Sequence, residues 1–95
     1  MIAVRQTEEF ASWLKGLKDQ FARERIVRRI ARVEIGNLGD AKFFDGIGEL
    51  RIDYGPGYRV YFVQHGKEFV ILLCGGDKRT QQRDIQRAID MAKEV

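Results

Sequence analysis

Proline, cysteine and histidine are almost missing from this chain, with one of each in 95 residues. A single cysteine, Cys74, cannot close an internal disulfide, and one histidine beside it leaves no plausible zinc ligand set, so neither a metal nor another cofactor is expected. Cys74 ends the apolar run Phe69–Cys74, where a thiol reads as buried core rather than as a nucleophile. No apolar run approaches the roughly 20 residues that span a bilayer, and Met1–Gln6 has no signal-peptide pattern, so the expected location is the cytoplasm without membrane attachment. A composition of 44% hydrophobic and 33% charged residues describes a globular rather than a disordered protein. The length suits one domain, residues 1–95, able to bury a core without staples.

Positive charge is what the sequence has in one place. The net charge is only +3, but Lys15 to Arg32 carries seven basic residues against Asp19 and Glu24, leaving ten basic and twelve acidic residues elsewhere. Such a segment suits a polyanion or an acidic protein partner. Within it Arg25, Arg28, Arg29 and Arg32 recur at i, i+3, i+4, i+7 and predict a basic ridge along one helix. The ridge is either a solvated face or a surface for phosphate or an acidic helix, since clustered guanidinium groups repel unless something anionic compensates.

Periodicity predicts the order of elements. Met1–Gln6 alternates weakly as a first strand, and Thr7 caps a helix whose Phe10, Trp13, Leu14 and Leu17 share one face. Asp19 caps a longer second helix reaching about Ile35, where Gly36-Asn37 supply a stop, so the two helices fold back as an antiparallel pair. Ala41–Phe44 is a short strand or a loop packed on the core. Glu49–Tyr54 and Tyr58–Phe62 are alternating runs around Gly55-Pro56-Gly57, which predicts a hairpin. With Tyr54 opposite Tyr58, Leu50, Ile52, Tyr54, Tyr58, Val60 and Phe62 share an apolar face, and Glu49, Arg51, Asp53, Arg59 and Tyr61 share an open polar one. After a reversal at His65-Gly66-Lys67, Phe69–Cys74 is apolar throughout, as expected of a central strand covered on both faces. Gly75-Gly76-Asp77 leaves the strand, and Thr80 caps a last helix with Ile85, Ala88, Ile89 and Ala92 on one face. This is an α+β layout.

Arg51, Arg59 and the pair Lys78-Arg79 stand on the polar face or at strand ends and form a candidate phosphate site, because arginine binds phosphate through a planar, permanently charged fork. The alternative is cross-strand neutralisation by Glu49 and Asp53. Tyr61 could stack on a base or simply pack, and His65 is the usual acid–base type but sits in a turn. Gly75-Gly76-Asp77-Lys78 has the wrong glycine spacing for a nucleotide-binding loop.

Asp45-Gly46-Ile-Gly-Glu49-Leu-Arg51, Tyr54-Gly-Pro-Gly-Tyr-Arg59-Val-Tyr-Phe62, Leu72-Leu-Cys-Gly-Gly-Asp-Lys78 and Gln82-Arg-Asp84-Ile-Gln-Arg-Ala88, in that order, resemble the addiction-module killer proteins. These are the phage-derived Gp49-like or HigB-like toxins of the RelE/ParE superfamily. The resemblance covers nearly the whole chain. It implies a RelE-like fold, with an N-terminal strand and a helical hairpin packed on a small antiparallel sheet and a C-terminal helix. It also implies the toxin of a type II toxin–antitoxin module, neutralised by a cognate antitoxin of helix-turn-helix type, that cuts mRNA on the ribosome without metal. Arg59 matches the phosphate-binding arginine of the Gly-Tyr-Arg motif, Arg51 the basic position on the preceding strand, and Lys78 and Arg79 the basic position after the last strand. On this reading Tyr61, His65 and the helix arginines would contact RNA or the ribosome. The chain departs from the nuclease pattern near Ile85, where RelE-like enzymes continue to a tyrosine, leaving Lys78 or His65 for proton transfer. ParE-like relatives poison DNA gyrase instead. A protein that acts only by binding its antitoxin, or an inactive remnant, would also fit the resemblance.

Overall fold

A computed structural model describes residues 1–95. The chain runs β1 (Ala3–Gln6), α1 (Glu8–Gly16), α2 (Gln20–Glu34), β2 (Ala41–Phe44), β3 (Ile47–Ile52), β4 (Tyr58–His65), β5 (Phe69–Asp77), a 3₁₀ turn (Lys78–Thr80) and α3 (Gln81–Ala92). The strands form one sheet in the order β1-β5-β4-β3-β2. β1 runs parallel to β5, and every other pair is antiparallel. The α+β expectation is met, and Ala41–Phe44 is an edge strand rather than a loop. No helix is long and apolar enough to cross a membrane.

Local chemistry accounts for the helix starts. The Thr7 hydroxyl accepts from the Phe10 amide at 3.0 Å and donates to the Leu73 carbonyl at 2.6 Å, so one side chain both caps α1 and ties it to β5, an interior strand next to the central β4. Asp19 accepts from the Phe21 and Ala22 amides and caps α2. Thr80 holds the N-cap position of α3 as expected, but its side chain makes no capping bond. Asp77 instead caps the preceding 3₁₀ turn through the Arg79 amide, and the Thr80 hydroxyl donates to Asp84 inside the helix.

The sheet is covered on both faces. Phe10, Ala22, Ile26 and Val33 from α1 and α2 pack with Leu50, Ile52, Tyr58, Val60, Phe62, Val70 and Leu72. Ala88 and Met91 of α3 pack on the other face with Ile47, Tyr61, Leu73 and Cys74. The face expected to be open and polar is therefore roofed over its middle by α3, because the apolar stripe of α3 needs a sheet face and the other is already occupied. Burial pushes the Cys74 thiol up to about 12, with the Glu9 and Asp84 charges adding to it, so it is the inert core thiol that its apolar run predicted.

Two registers differ from expectation. Tyr58 pairs with Ile52, not Tyr54. The shift is two residues, so each side chain keeps its face while the turn lengthens to residues 53–57. In β5 the pairing jumps from Phe62↔Leu72 to Tyr61↔Cys74, so Leu73 is an extra residue and both Leu73 and Cys74 face α3. β5 also continues to Asp77, three residues past the expected end. The two glycines lie within it because a Cβ on Gly75 would stand 2.3 Å from the Trp13 ring and one on Gly76 1.8 Å from Asp84 Oδ2.

Candidate RNA-binding pocket

At the end of the sheet where β3 turns into β4, a predominantly polar pocket of about 440 Å³ is lined by Asp40, Arg51, Asp53, Gly55, Pro56, Gly57, Arg59 and Lys78. Its walls come from the segment before β2, the β3–β4 turn and the start of the 3₁₀ turn. Gly57 has φ +80°, a conformation that costs other residues, and a Cβ there would lie 3.4 Å from Arg59 Nη1 and 3.5 Å from Lys78 Cβ. Both are ordinary contact distances, so it is the backbone conformation rather than space that calls for glycine here.

The two strand arginines face each other in register but differ in their partners. Arg51 donates to Asp40 Oδ1 from Nη2 at 2.7 Å and from Nε at 3.1 Å. The pair continues the β2–β3 ladder, with the Arg51 amide donating to the Asp40 carbonyl at 2.9 Å. Arg59 has no carboxylate partner. Its Nη1 makes only long bonds, 3.2 and 3.3 Å, to the Gly57 and Tyr58 carbonyls, and its buried Nε donates to nothing. Neutralisation by Glu49 and Asp53 is not what the sheet does. Glu49 is 1% exposed, under α3, and accepts from Gln81 Nε2 at 2.9 Å.

Four of the expected site residues are placed elsewhere. Tyr61 is fully buried beneath α3 and is not on an RNA-facing surface. Burial first, then the Glu49 charge, push its phenol pKa up, which keeps the hydroxyl protonated. His65 is exposed at the opposite end of β4, stacked on Phe69 with ring centres 4.8 Å apart. It stands six positions along β4 from Arg59, about 20 Å at roughly 3.3 Å per residue. Arg79 is an exposed side chain paired with Asp77 at 2.9 Å, and it lines a separate shallow groove at the start of α3. Arg29 is 8% exposed and leaves the basic ridge altogether. Its guanidinium donates to the Leu38 carbonyl at 2.9 and 3.2 Å, to that of Asp40 at 2.6 Å and to that of Arg51 at 2.5 Å. Burial, then the Arg32 charge, lower its pKa below the ordinary guanidinium value. Arg25, Arg28 and Arg32 do remain exposed, and Arg25 stacks on Tyr54 at 4.5 Å.

Asp40 was not legible as a pocket residue, since its role depends on the β2–β3 register. Had that register been known, an acidic residue opposite Arg51 would have been the signal. A larger groove of about 860 Å³ lies between α1 and α2, with Leu14 and Val27 on its walls and Lys15, Arg23 and Arg28 on its rim. It holds none of the strand arginines and no orphaned buried donor.

The Arg51 hydrogen bond holds the Asp40 carboxyl below the ordinary carboxylate range, and Arg87 and Arg79 do the same for Glu9 and Asp77. A lowered folded-state pKa adds stability that is complete above the unfolded value, near 4, and is lost as pH falls through the folded one. Urea melts at decreasing pH are expected to show a shallow loss of stability below about pH 4, shallow because exposed pairs are worth little. Asp40→Asn should remove part of that slope.

Residues 12–95 match the family described as phage derived protein Gp49-like (DUF891). An uncharacterized protein of Haemophilus influenzae is 50% identical over 95 residues, covering 99% of this chain and 96% of that protein. The solution structure of a conserved hypothetical protein from Helicobacter pylori superposes with a TM-score of 0.60 at 18% identity, over 83% of this chain and 97% of that one, a likeness of fold.

Proposed function

The chain belongs to the phage-derived Gp49-like family of HigB-like and RelE-like toxins, and from that premise we propose that it is a ribosome-dependent mRNA endoribonuclease that inhibits translation. Its partner is a cognate antitoxin, of helix-turn-helix type in this proposal. The observation that carries the nuclease reading is Arg59, a guanidinium without a carboxylate partner on the wall of a polar pocket, with a buried Nε that has no acceptor. Buried donors are almost always satisfied, and a phosphate oxygen would satisfy this one.

The reaction proposed is transesterification. The 2′-oxygen of one nucleotide forms a bond to the adjacent phosphorus, and the P–O5′ bond breaks. The 2′-hydroxyl loses its proton and the departing 5′-oxygen gains one, giving a 2′,3′-cyclic phosphate and a 5′-hydroxyl end. Arg59 binds the phosphate as negative charge gathers on its oxygens, and Arg51 contributes from its fixed position beside Asp40. Lys78, exposed at the rim, supplies charge and the proton for the 5′-oxygen. Arg25, Arg28 and Arg32 hold ribosomal RNA through phosphate contacts, which carry no sequence information.

Mapping transcript 5′ ends after induction tests this directly. New 5′-hydroxyl ends within translated messages are expected, without a rise in DNA breaks. Intact messages with accumulating DNA breaks would instead identify a gyrase poison, and growth arrest with neither would identify a protein acting by binding alone.

A further inference from the structure

Two carboxylates face the pocket that holds Arg59, and only one of them is engaged. Asp40 is committed to Arg51 by two hydrogen bonds. Asp53, the first residue after β3, is exposed, forms no ion pair and makes no side-chain hydrogen bond. Its place is nevertheless well held. Tyr54 beside it donates from its amide to the Ile52 carbonyl at 2.9 Å and from its hydroxyl to Asp19 at 3.1 Å, and its ring lies under Arg25. The turn carrying Asp53 is thus pinned to the start of α2.

We infer that Asp53 is the general base of the cleavage, the group that takes the 2′-hydroxyl proton. The inference rests on the nuclease reading above. The other oxygen and nitrogen bases are out of reach or occupied. His65 is at the far end of β4, Tyr61 and Glu49 are sealed under α3, and Asp84 is buried against Thr80. Arg51, Arg59, Lys78 and Asp40 are the charged groups that face Asp53 across the pocket. Three cations and one paired anion line the same cavity as Asp53, so base and phosphate-binding groups meet in one place.

The proton balance is complete within this set. Asp53 Oδ accepts the 2′-hydroxyl proton as the O2′–P bond forms. Lys78 Nζ gives a proton to O5′ as the P–O5′ bond breaks. Proton exchange with water then returns Asp53 to carboxylate and Lys78 to ammonium, with no oxidant, metal or further reactant.

The test is single-turnover cleavage of a defined message on purified ribosomes by the wild-type chain, Asp53→Asn and Asp53→Glu. Asp53→Asn is expected to cut about 10²- to 10⁴-fold more slowly, the usual range for removing a general base. It should keep wild-type ribosome binding and melting temperature, because the side chain has no partner in the fold. Asp53→Glu should recover part of the rate. Cleavage by Asp53→Asn within threefold of wild type overturns the assignment while leaving the nuclease reading standing, as does a rate loss matched by lost ribosome binding or stability. A wild-type chain that leaves the message uncut overturns both.

Discussion

Arg59→Ala is expected to abolish growth arrest while leaving the fold and antitoxin capture intact. Removing a single preorganised donor to developing charge costs about 10²- to 10³-fold in rate, and a guanidinium that supplies both charge and a two-pronged fork should stand at the upper end or above. The folded state loses little in exchange. Arg59 makes no ion pair, and its two bonds to backbone carbonyls are 3.2 and 3.3 Å long. The melting temperature should therefore move by only a few degrees, which corresponds to less than about 1 kcal/mol in a domain of this size. Arg59→Lys keeps the charge but not the planar fork, and partial activity is the expected result. Growth curves after induction, copurification with the antitoxin and a thermal melt read the three quantities separately. Full toxicity of a folded Arg59→Ala would remove the pocket from the mechanism.

The second large effect concerns an arginine that the helical spacing placed on the same ridge as its neighbours. Arg29→Ala should destabilise the protein by roughly 2–4 kcal/mol, because hydrogen bonds to a charged group are worth about 1.5–3 kcal/mol net and three carbonyls lose their donor together. In a domain of this size that lowers the melting temperature by about 10–25 °C. Arg28→Ala and Arg32→Ala, at exposed positions of the same helix, should stay within about 0.5 kcal/mol of wild type. Gly39 shows how closely the site is built, since a Cβ there would stand 2.9 Å from Arg29 Nε. The Leu38 and Asp40 carbonyls that Arg29 holds lead directly into the Asp40–Arg51 pair, so the variant should also loosen one wall of the pocket. A thermal melt of the three variants side by side decides the matter. Equal melting temperatures would return Arg29 to the surface.

These two arginines show where reading along the chain succeeds and where it stops. Arg59 follows from a short motif and from strand parity, and a two-residue error in the hairpin register left its face unchanged. Arg29 recurs with Arg25, Arg28 and Arg32 at the same helical interval, yet a loop from residue 38 to residue 40 folds over it and takes its donors. Tyr61 likewise alternates correctly with Val60 and Phe62, but alternation cannot say that a helix starting twenty residues later will cover that face. The continuation of β5 through Gly75 and Gly76 required Trp13 and Asp84 to lie over them, and the extra residue at Leu73 sets which glycine meets which side chain.

Local sequence encodes the order of elements, the apolar faces of the helices and of the hairpin, and the glycine-bounded turn that leads into the strand carrying Arg59. Each of these is encoded by neighbours within about one helical turn or a few strand residues. Only the tertiary structure decided which charged side chains are free, because a partner is chosen by register and by the packing of distant segments. Asp40 meets Arg51, Gln81 meets Glu49, and the carbonyls of residues 38, 40 and 51 meet Arg29. Arg59, Lys78 and Asp53 are the charged groups that those pairings leave without an ionic partner in the pocket.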